Sequence, residues 1–312
     1  MTMFRANAKD SLTRSDAADE STVQPPLSTH DRTAVIIPAR NAVGLIEECL
    51  DSVVPQLRDE DVVYVIDDAS TDGTGDVARI RGAHVIRSDV ALGPYEARNI
   101  AAQLADVAHL VFFDVRCRAE DGWLDTHRKI LSEGTNALSY SNVEVVKGRR
   151  LATRIAAAWR PFSIDNYRNG GYLLYFPTCN LGVSKEAFSA VGGFSQVRSG
   201  GDADLCWKVQ ESKLGEVGFS ESTLVRWVPR EKIKELSGQF YRYGRSSAYL
   251  CRERKQNPLV FRRILLLPAR ILWKSWSTFL NSNFDLSVAT GAGWIQFAYE
   301  RGYIRESLSA DK

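Results

Sequence analysis

Three polar clusters follow apolar runs: Pro38-Ala39-Arg40-Asn41 after Ala34–Ile37, Asp67-Asp68 after Val62–Ile66, and Asp114-Val115-Arg116 after Leu110–Phe113. A fourth, Asp202-Ala203-Asp204, opens a helical pattern. Carboxylates accept hydrogen bonds and, near a hydroxyl, take its proton. Arginine stays charged and forks onto phosphate. The five cysteines (Cys49, Cys117, Cys179, Cys206, Cys251) form no Cys-x-x-Cys pair and have no histidine at zinc-ligand spacing. Their odd number and wide spacing fit reduced thiols in a cytoplasmic protein.

The elements that must position these clusters are legible as alternation. Short apolar runs at 34–37, 62–66, 84–86 and 110–113 predict strands, the first stopped by Pro38. Helical spacing at 43–54, 74–81 and 94–105 separates them. Such alternation predicts an α/β fold: a parallel sheet with helices on both faces, whose ligands bind at the carboxyl ends of the strands. That rule brings the first three clusters to one place. The second half predicts strands at 137–146, 181–183 and 224–227, and helices at 151–159, 184–191 and 202–212. From Glu231 the pattern is helical to about Ser277. The expected organisation is a disordered tail over 1–31, a sheet domain over 32–230 and a helical, basic C-terminal region over 231–312.

Of 312 residues, 44% are hydrophobic and 25% charged, and 40 basic side chains against 38 acidic ones leave a formal charge of +2. That balance excludes a globally basic nucleic-acid binder and a disordered polyelectrolyte. A membrane-spanning helix needs about 20 mostly apolar residues, and no such run is present. No secretory signal is visible in the polar first 31 residues. Localisation in the cytoplasm, peripheral on the inner face of the cell membrane, is the expectation.

An ordered series of motifs carries a resemblance. It comprises Val35-Ile36-Ile37-Pro38-Ala39-Arg40-Asn41, Val65-Ile66-Asp67-Asp68-Ala69-Ser70, Gly93-Pro94-Tyr95-Glu96-Ala97-Arg98-Asn99, Phe112-Phe113-Asp114, Cys179-Asn180-Leu181-Gly182, Gly192-Gly193-Phe194 and Gly201-Asp202-Ala203-Asp204. Together, from about Thr33 to Tyr249, the series resembles the inverting glycosyltransferases of family 2, with the GT-A fold. The resemblance implies sugar transfer from a nucleotide-sugar donor to a hydroxyl of a glycan or lipid-linked acceptor. It implies that Pro38, Arg40, Asn41 and Asp68 line the base and ribose pocket, with Asp68 accepting from the base. Arg98 is implied as a phosphate-side or structural arginine. Asp202 would deprotonate the acceptor, with Asp204 supporting the site, and Gly201 replaces an acidic residue common in the family. Asn180, Trp227, Arg230 and Arg245 are further candidates for the acceptor or diphosphate side.

One departure bears on mechanism. Most relatives carry Asp-x-Asp after the fourth strand, the second aspartate binding a divalent cation (Mg²⁺ or Mn²⁺) on the donor diphosphate. Here the run is Asp114-Val115-Arg116, and Trp227 stands where a metal-binding histidine is looked for. Arginine cannot bind a cation. Three readings follow: Arg116 neutralises the leaving diphosphate itself, Asp114 and the donor phosphates hold a metal alone, or the chain binds donor without catalysis as a scaffold in a glycan assembly complex. A nucleotidyltransferase would need a glycine- and basic-rich phosphate loop, which 38–44 does not supply.

Between Arg242 and Lys274 stand nine basic side chains and one acidic, interleaved with aromatic and aliphatic residues. At helical spacing Arg263, Arg270 and Lys274 share one face, and Phe261, Leu265, Leu272 and Trp276 the other. The pattern predicts either a helix lying in an anionic membrane surface or an apolar face packed on protein. Pro268 is expected to kink it.

Overall fold

The apolar runs build the centre of one sheet. In the computed structural model, which describes residues 32–168, 172–256 and 260–309, eight strands take the order β3-β2-β1-β4-β7-β6-β8-β5. They are β1 (Thr33–Ala39), β2 (Val62–Asp68), β3 (His84–Ser88), β4 (His109–Phe113), β5 (Cys117–Ala119), β6 (Asn136–Val145), β7 (Asn180–Ser184) and β8 (Glu216–Trp227). The helices are α1 (Val43–Val53), α2 (Thr74–Ile80), α3 (Pro94–Leu104), α4 (Trp123–Ser132), α5 (Leu151–Trp159), α6 (Asp165–Arg168), α7 (Lys185–Ala190), α8 (Gly201–Glu211), α9 (Ile233–Glu253), α10 (Val260–Leu265), α11 (Leu267–Asn281) and α12 (Leu286–Ser309). The segment expected to form an N-terminal tail, 1–31, lies outside the described residues.

β1 to β4 run parallel, as the alternation predicts. β7 turns against β4 and β6, so the sheet is mixed from its middle outward. β1 continues through Pro38 instead of stopping there. Its pairing with β4 ends at Ile36, whereas its pairing with β2 runs on to Ala39, so Pro38 sits where one flank has already opened. β8 is far longer than the expected 224–227, because a polar run at 220–223, bulged against β6, separates Val217 and Phe219 from Leu224. The three-residue β5 is too short to leave a pattern.

Beneath the middle of the sheet lies a fully satisfied polar knot. Asn180 accepts from the Trp123 indole (2.6 Å) and is 2.9 Å from His127 Nε2, and its amide donates to the carbonyl and hydroxyl of Ser141 (2.7 and 2.9 Å). Ser139 closes the other side of His127 at 2.7 Å. Burial holds that imidazole at about 4, so it is neutral. A side chain at Gly182 would collide with Ser139 and His127, which explains the glycine in the Asn180-Leu181-Gly182 run.

The C-terminal helices share the sheet's core through Leu236, Phe240, Val288, Ala292 and Ile295. α9 and α12 cross closely because Gly244 and Gly302 each face the other helix's backbone. α10 and α11 lie outside this pair, with their cationic face turned inward. Arg263 and Arg270 meet buried Glu300 at 3.0 and 2.7 Å, and Lys274 sits 3.9 Å over the ring of Trp159. The predicted basic face is therefore engaged, and the apolar one is bare: Phe261 is 81% exposed, Leu265 79% and Leu272 68%. The break falls at Leu266, and Pro268 occupies the first turn of α11, where a missing N–H costs nothing. Glu300→Ala leaves two guanidinium groups without their counter-charge; melting should show a loss of about 2–3 kcal/mol. An unchanged Tm contradicts an inward-facing basic stripe.

Candidate active site

The loops after β1 and β2 are zipped together by side-chain-to-backbone hydrogen bonds. Asn41 N–H donates to Ser70 (3.0 Å), and Thr71 N–H returns to Asn41 Oδ1 (2.9 Å). Ala42 N–H donates to Thr74 Oγ1 (2.8 Å) and Val43 N–H to Asp72 (3.1 Å). α1 has no side-chain cap of its own, so Asp72 caps it from the neighbouring loop. Asn41 takes a left-handed φ of 46°, a conformation asparagine tolerates well. Pro38, Arg40 and Asn41 thus stand beside the end of β2, with Arg40 and Asn41 exposed.

Adjacent aspartates do different work. Asp67 is fully buried and bound by Arg87 (2.6 Å) and Ser70 N–H (3.0 Å), with Gly75 letting α2 come in close. Asp68 accepts from Leu92 N–H (2.6 Å) and Gly93 N–H (3.1 Å), one on each oxygen. It shapes the loop leading into α3 and keeps its remaining lone pairs.

Arg98 joins the first half of the site to the second. Its side chain is 3% exposed, and it donates to Pro94 O (3.2 Å) and to Asp114 Oδ1 (2.5 Å). One turn earlier on α3, Tyr95 lies flat against α8, its hydroxyl 3.5 Å from Asp202 Oδ1. A Cβ at position 201 would fall 2.9 Å from the Tyr95 ring. Glycine is therefore required there, and the tyrosine occupies the space an acidic side chain would need. Tyr95 is the residue that sequence reasoning missed; its signal was the pairing of that aromatic with the unusual Gly201. The motifs at 93–99 and 192–194 interlock too, since the Asn99 amide holds both N–H and carbonyl of Phe194 at 2.9 Å.

Asp202 stands in the first turn of α8, while Gly200 is the N-cap, so it is not the helix's cap. Its Oδ1 accepts from Ala203 N–H (3.0 Å). Burial holds its carboxyl above the usual range, opposed by that N–H and by the Arg98 charge. Arg116 Nη1 donates to Val228 O (3.3 Å). Burial and then the Arg230 charge hold its guanidinium below the usual range, and the Asp114 charge opposes that.

Four further candidates have partners of their own. Asn180 is buried in the polar knot with its amide fully engaged, so no atom is left for a ligand. Trp227 is 3% exposed and packs edge-on to Phe162 at 4.9 Å. Asp204 binds Ser195 (2.6 Å), Lys208 (2.9 Å) and Arg254 (3.0 Å), tying α8 to the end of α9 by side chains, not backbone. Arg245 pairs with Glu306 at 2.7 Å.

A divalent cation finds a poor donor set. Among the described residues no three His, Cys, Asp or Glu side chains gather, Asp114 is already held by Arg98, and Arg116 stands two residues on.

The raised Asp202 has a consequence for stability. A carboxyl whose folded pKa lies above its unfolded value favours folding at low pH and opposes it once ionised. Asp202→Asn keeps the oxygen that Ala203 and Tyr95 use and removes the charge. It should raise Tm at pH 7, the gain vanishing below the unfolded pKa near 3.8. Scanning calorimetry at both pH values tests this; a lower Tm at pH 7 contradicts a desolvated carboxylate.

Comparison with known proteins agrees with this architecture. The model of the family "Glycosyl transferase family 2" matches residues 34–192. Glycosyltransferase AglE of Haloferax volcanii is 26% identical over 232 residues, covering 70% of this chain and 73% of that protein. The pre-mycofactocin glycosyltransferase of Mycobacterium tuberculosis is 27% identical over 240 residues, 73% of this chain but only 49% of that protein. Among solved structures, the mannosyltransferase PcManGT of Pyrobaculum calidifontis, in complex with GDP-Man and Mn²⁺, superposes with a TM-score of 0.58 at 20% identity, over 90% of this chain and 88% of that one. The chain belongs to glycosyl transferase family 2 and carries its GT-A fold.

Proposed function

We propose that the chain transfers a sugar from a nucleotide donor to a hydroxyl acceptor by a single displacement. The observation that carries this reading is the desolvated Asp202 carboxylate, coupled to Arg98 and turned toward the Tyr95 hydroxyl. Asp202 takes the acceptor's proton, and the oxygen attacks the anomeric carbon. The bond from that carbon to the diphosphate breaks, its electron pair leaving with the nucleoside diphosphate. One displacement inverts the anomeric configuration. Pro38, Arg40, Asn41 and Asp68 face the donor's base and ribose.

Arg116, whose guanidinium feels the Arg230 charge, takes the charge of the leaving diphosphate together with Arg230. Two guanidinium groups near a leaving dianion act as the cation does elsewhere, without a coordination sphere. Arg116→Ala should lower turnover by about a hundredfold, whereas EDTA leaves it near the untreated rate. Nucleoside diphosphate release across a panel of nucleotide sugars is the readout. Strong EDTA inhibition with an indifferent Arg116→Ala sinks this assignment.

The acceptor we favour is a lipid-linked or envelope glycan precursor met at a membrane surface. No described helix is long and apolar enough to cross a bilayer. Instead Phe261, Leu265, Leu272, Trp273 and Trp276 form a bare aromatic and aliphatic face beside the exposed Arg262, the composition that settles at a lipid interface. With Arg263 and Arg270 paired to Glu300, attachment is apolar more than electrostatic. The protein should float with vesicles even in high salt, and Trp273→Ser with Trp276→Ser should abolish flotation. Retention at the bottom of the gradient with every vesicle composition contradicts it.

A further inference from the structure

Two recesses lie along α9, the first between it and the segment entering α8. One, of about 290 Å³, is lined by Arg198, Ser199, Arg242, Arg245 and Tyr249, with Glu306 at its edge. The other, of about 500 Å³, is lined by Arg230, Lys232, Lys234 and Arg242 with Glu235. Arg242 belongs to both. Glu306 neutralises Arg245 at 2.7 Å, and Glu235 sits 3.8 Å from Lys232. Among the described residues, Arg198, Arg230 and Arg242 make no ion pair.

Burial and the charge of Arg230, joined by that of Arg198, hold Arg242 below its usual range against the opposing Tyr243. Like charges held together on a partly buried wall repel, and an anion placed among them relieves that repulsion. The wall is fixed at both sides. Gly200 brings the entry of α8 against Ser246 and Leu250 of α9, where a Cβ would lie 3.1 and 3.0 Å from them. Arg198 and Ser199 lead directly into Gly200, Gly201 and Asp202.

We propose that the recess between Arg198 and Arg242 binds a phosphate group carried by the acceptor, which presents the acceptor hydroxyl to Asp202. The proposal rests on Asp202 as the base, and it leaves the donor diphosphate to Arg116 and Arg230. Fork geometry suits Arg198 and Arg242 to a terminal phosphate. A lipid-linked phosphate and a small soluble phosphate ester share that chemistry.

Calorimetric titration separates the sources. The full chain is saturated with UDP or GDP so that the donor pocket is filled, then titrated with farnesyl phosphate, glycerol 3-phosphate and farnesol. A phosphate should bind and farnesol should not. The double variant Arg198→Ala, Arg242→Ala should weaken phosphate binding at least about tenfold while keeping its nucleoside diphosphate affinity, which also reports that it folds. Farnesyl phosphate binding alone assigns a lipid-linked acceptor; equal binding of glycerol 3-phosphate assigns a soluble one. Phosphate bound equally by the double variant, or not bound by a wild-type chain that binds nucleotide, overturns the proposal. Failure to bind either nucleotide overturns the donor reading first, and is seen before any phosphate is added.

Discussion

A guanidinium buried to within a few per cent of complete must meet counter-charge, and Arg98 meets it at the seam of the molecule. It fastens α3 to the end of β4 through Asp114, and its field reaches Asp202 on α8. Three segments far apart in sequence therefore depend on one cation for their relative placement. Tyr95, one turn away, carries the same link by packing and by its hydroxyl. Removing Gly201's freedom from a side chain would break it, since that ring stands where a Cβ would go.

The cleft's electrostatics follow from that arrangement. Asp114 is held by an internal cation, and the position two residues on is itself cationic. Burial and the Arg230 charge hold the Arg116 guanidinium below its usual range, and burial holds the Asp202 carboxyl above its own. On the reading proposed above, cations beside the leaving diphosphate and a raised carboxylate at the acceptor give the polarity that moving a proton one way and a diphosphate the other requires.

Much of this was legible in the residues. The apolar runs and their intervening helices yield the parallel half of the sheet, and the strand-end rule gathers residues 38–41, 67–68 and 114–116. What escaped had physical causes. β5 is three residues long, and in β8 the polar, bulged run 220–223 cuts Val217 and Phe219 off from Leu224, so the hydrophobic period is interrupted. Asn180 and Trp227 sit in segments that look like site motifs, yet serve the core; burial is a tertiary property that local pattern does not reveal. The basic stripe at 263–274 was visible as a stripe, but its inward turn depends on Glu300, thirty residues downstream of Arg270. Tyr95 and Gly201 could be understood only together, as two halves of one contact.

Single displacement with Asp202 as the base fixes the stereochemistry of the product. The anomeric configuration of the transferred sugar is read from the proton coupling constant at the anomeric carbon in NMR spectra. The expected configuration is opposite to that in the nucleotide-sugar donor. A product that retains the donor's configuration contradicts it.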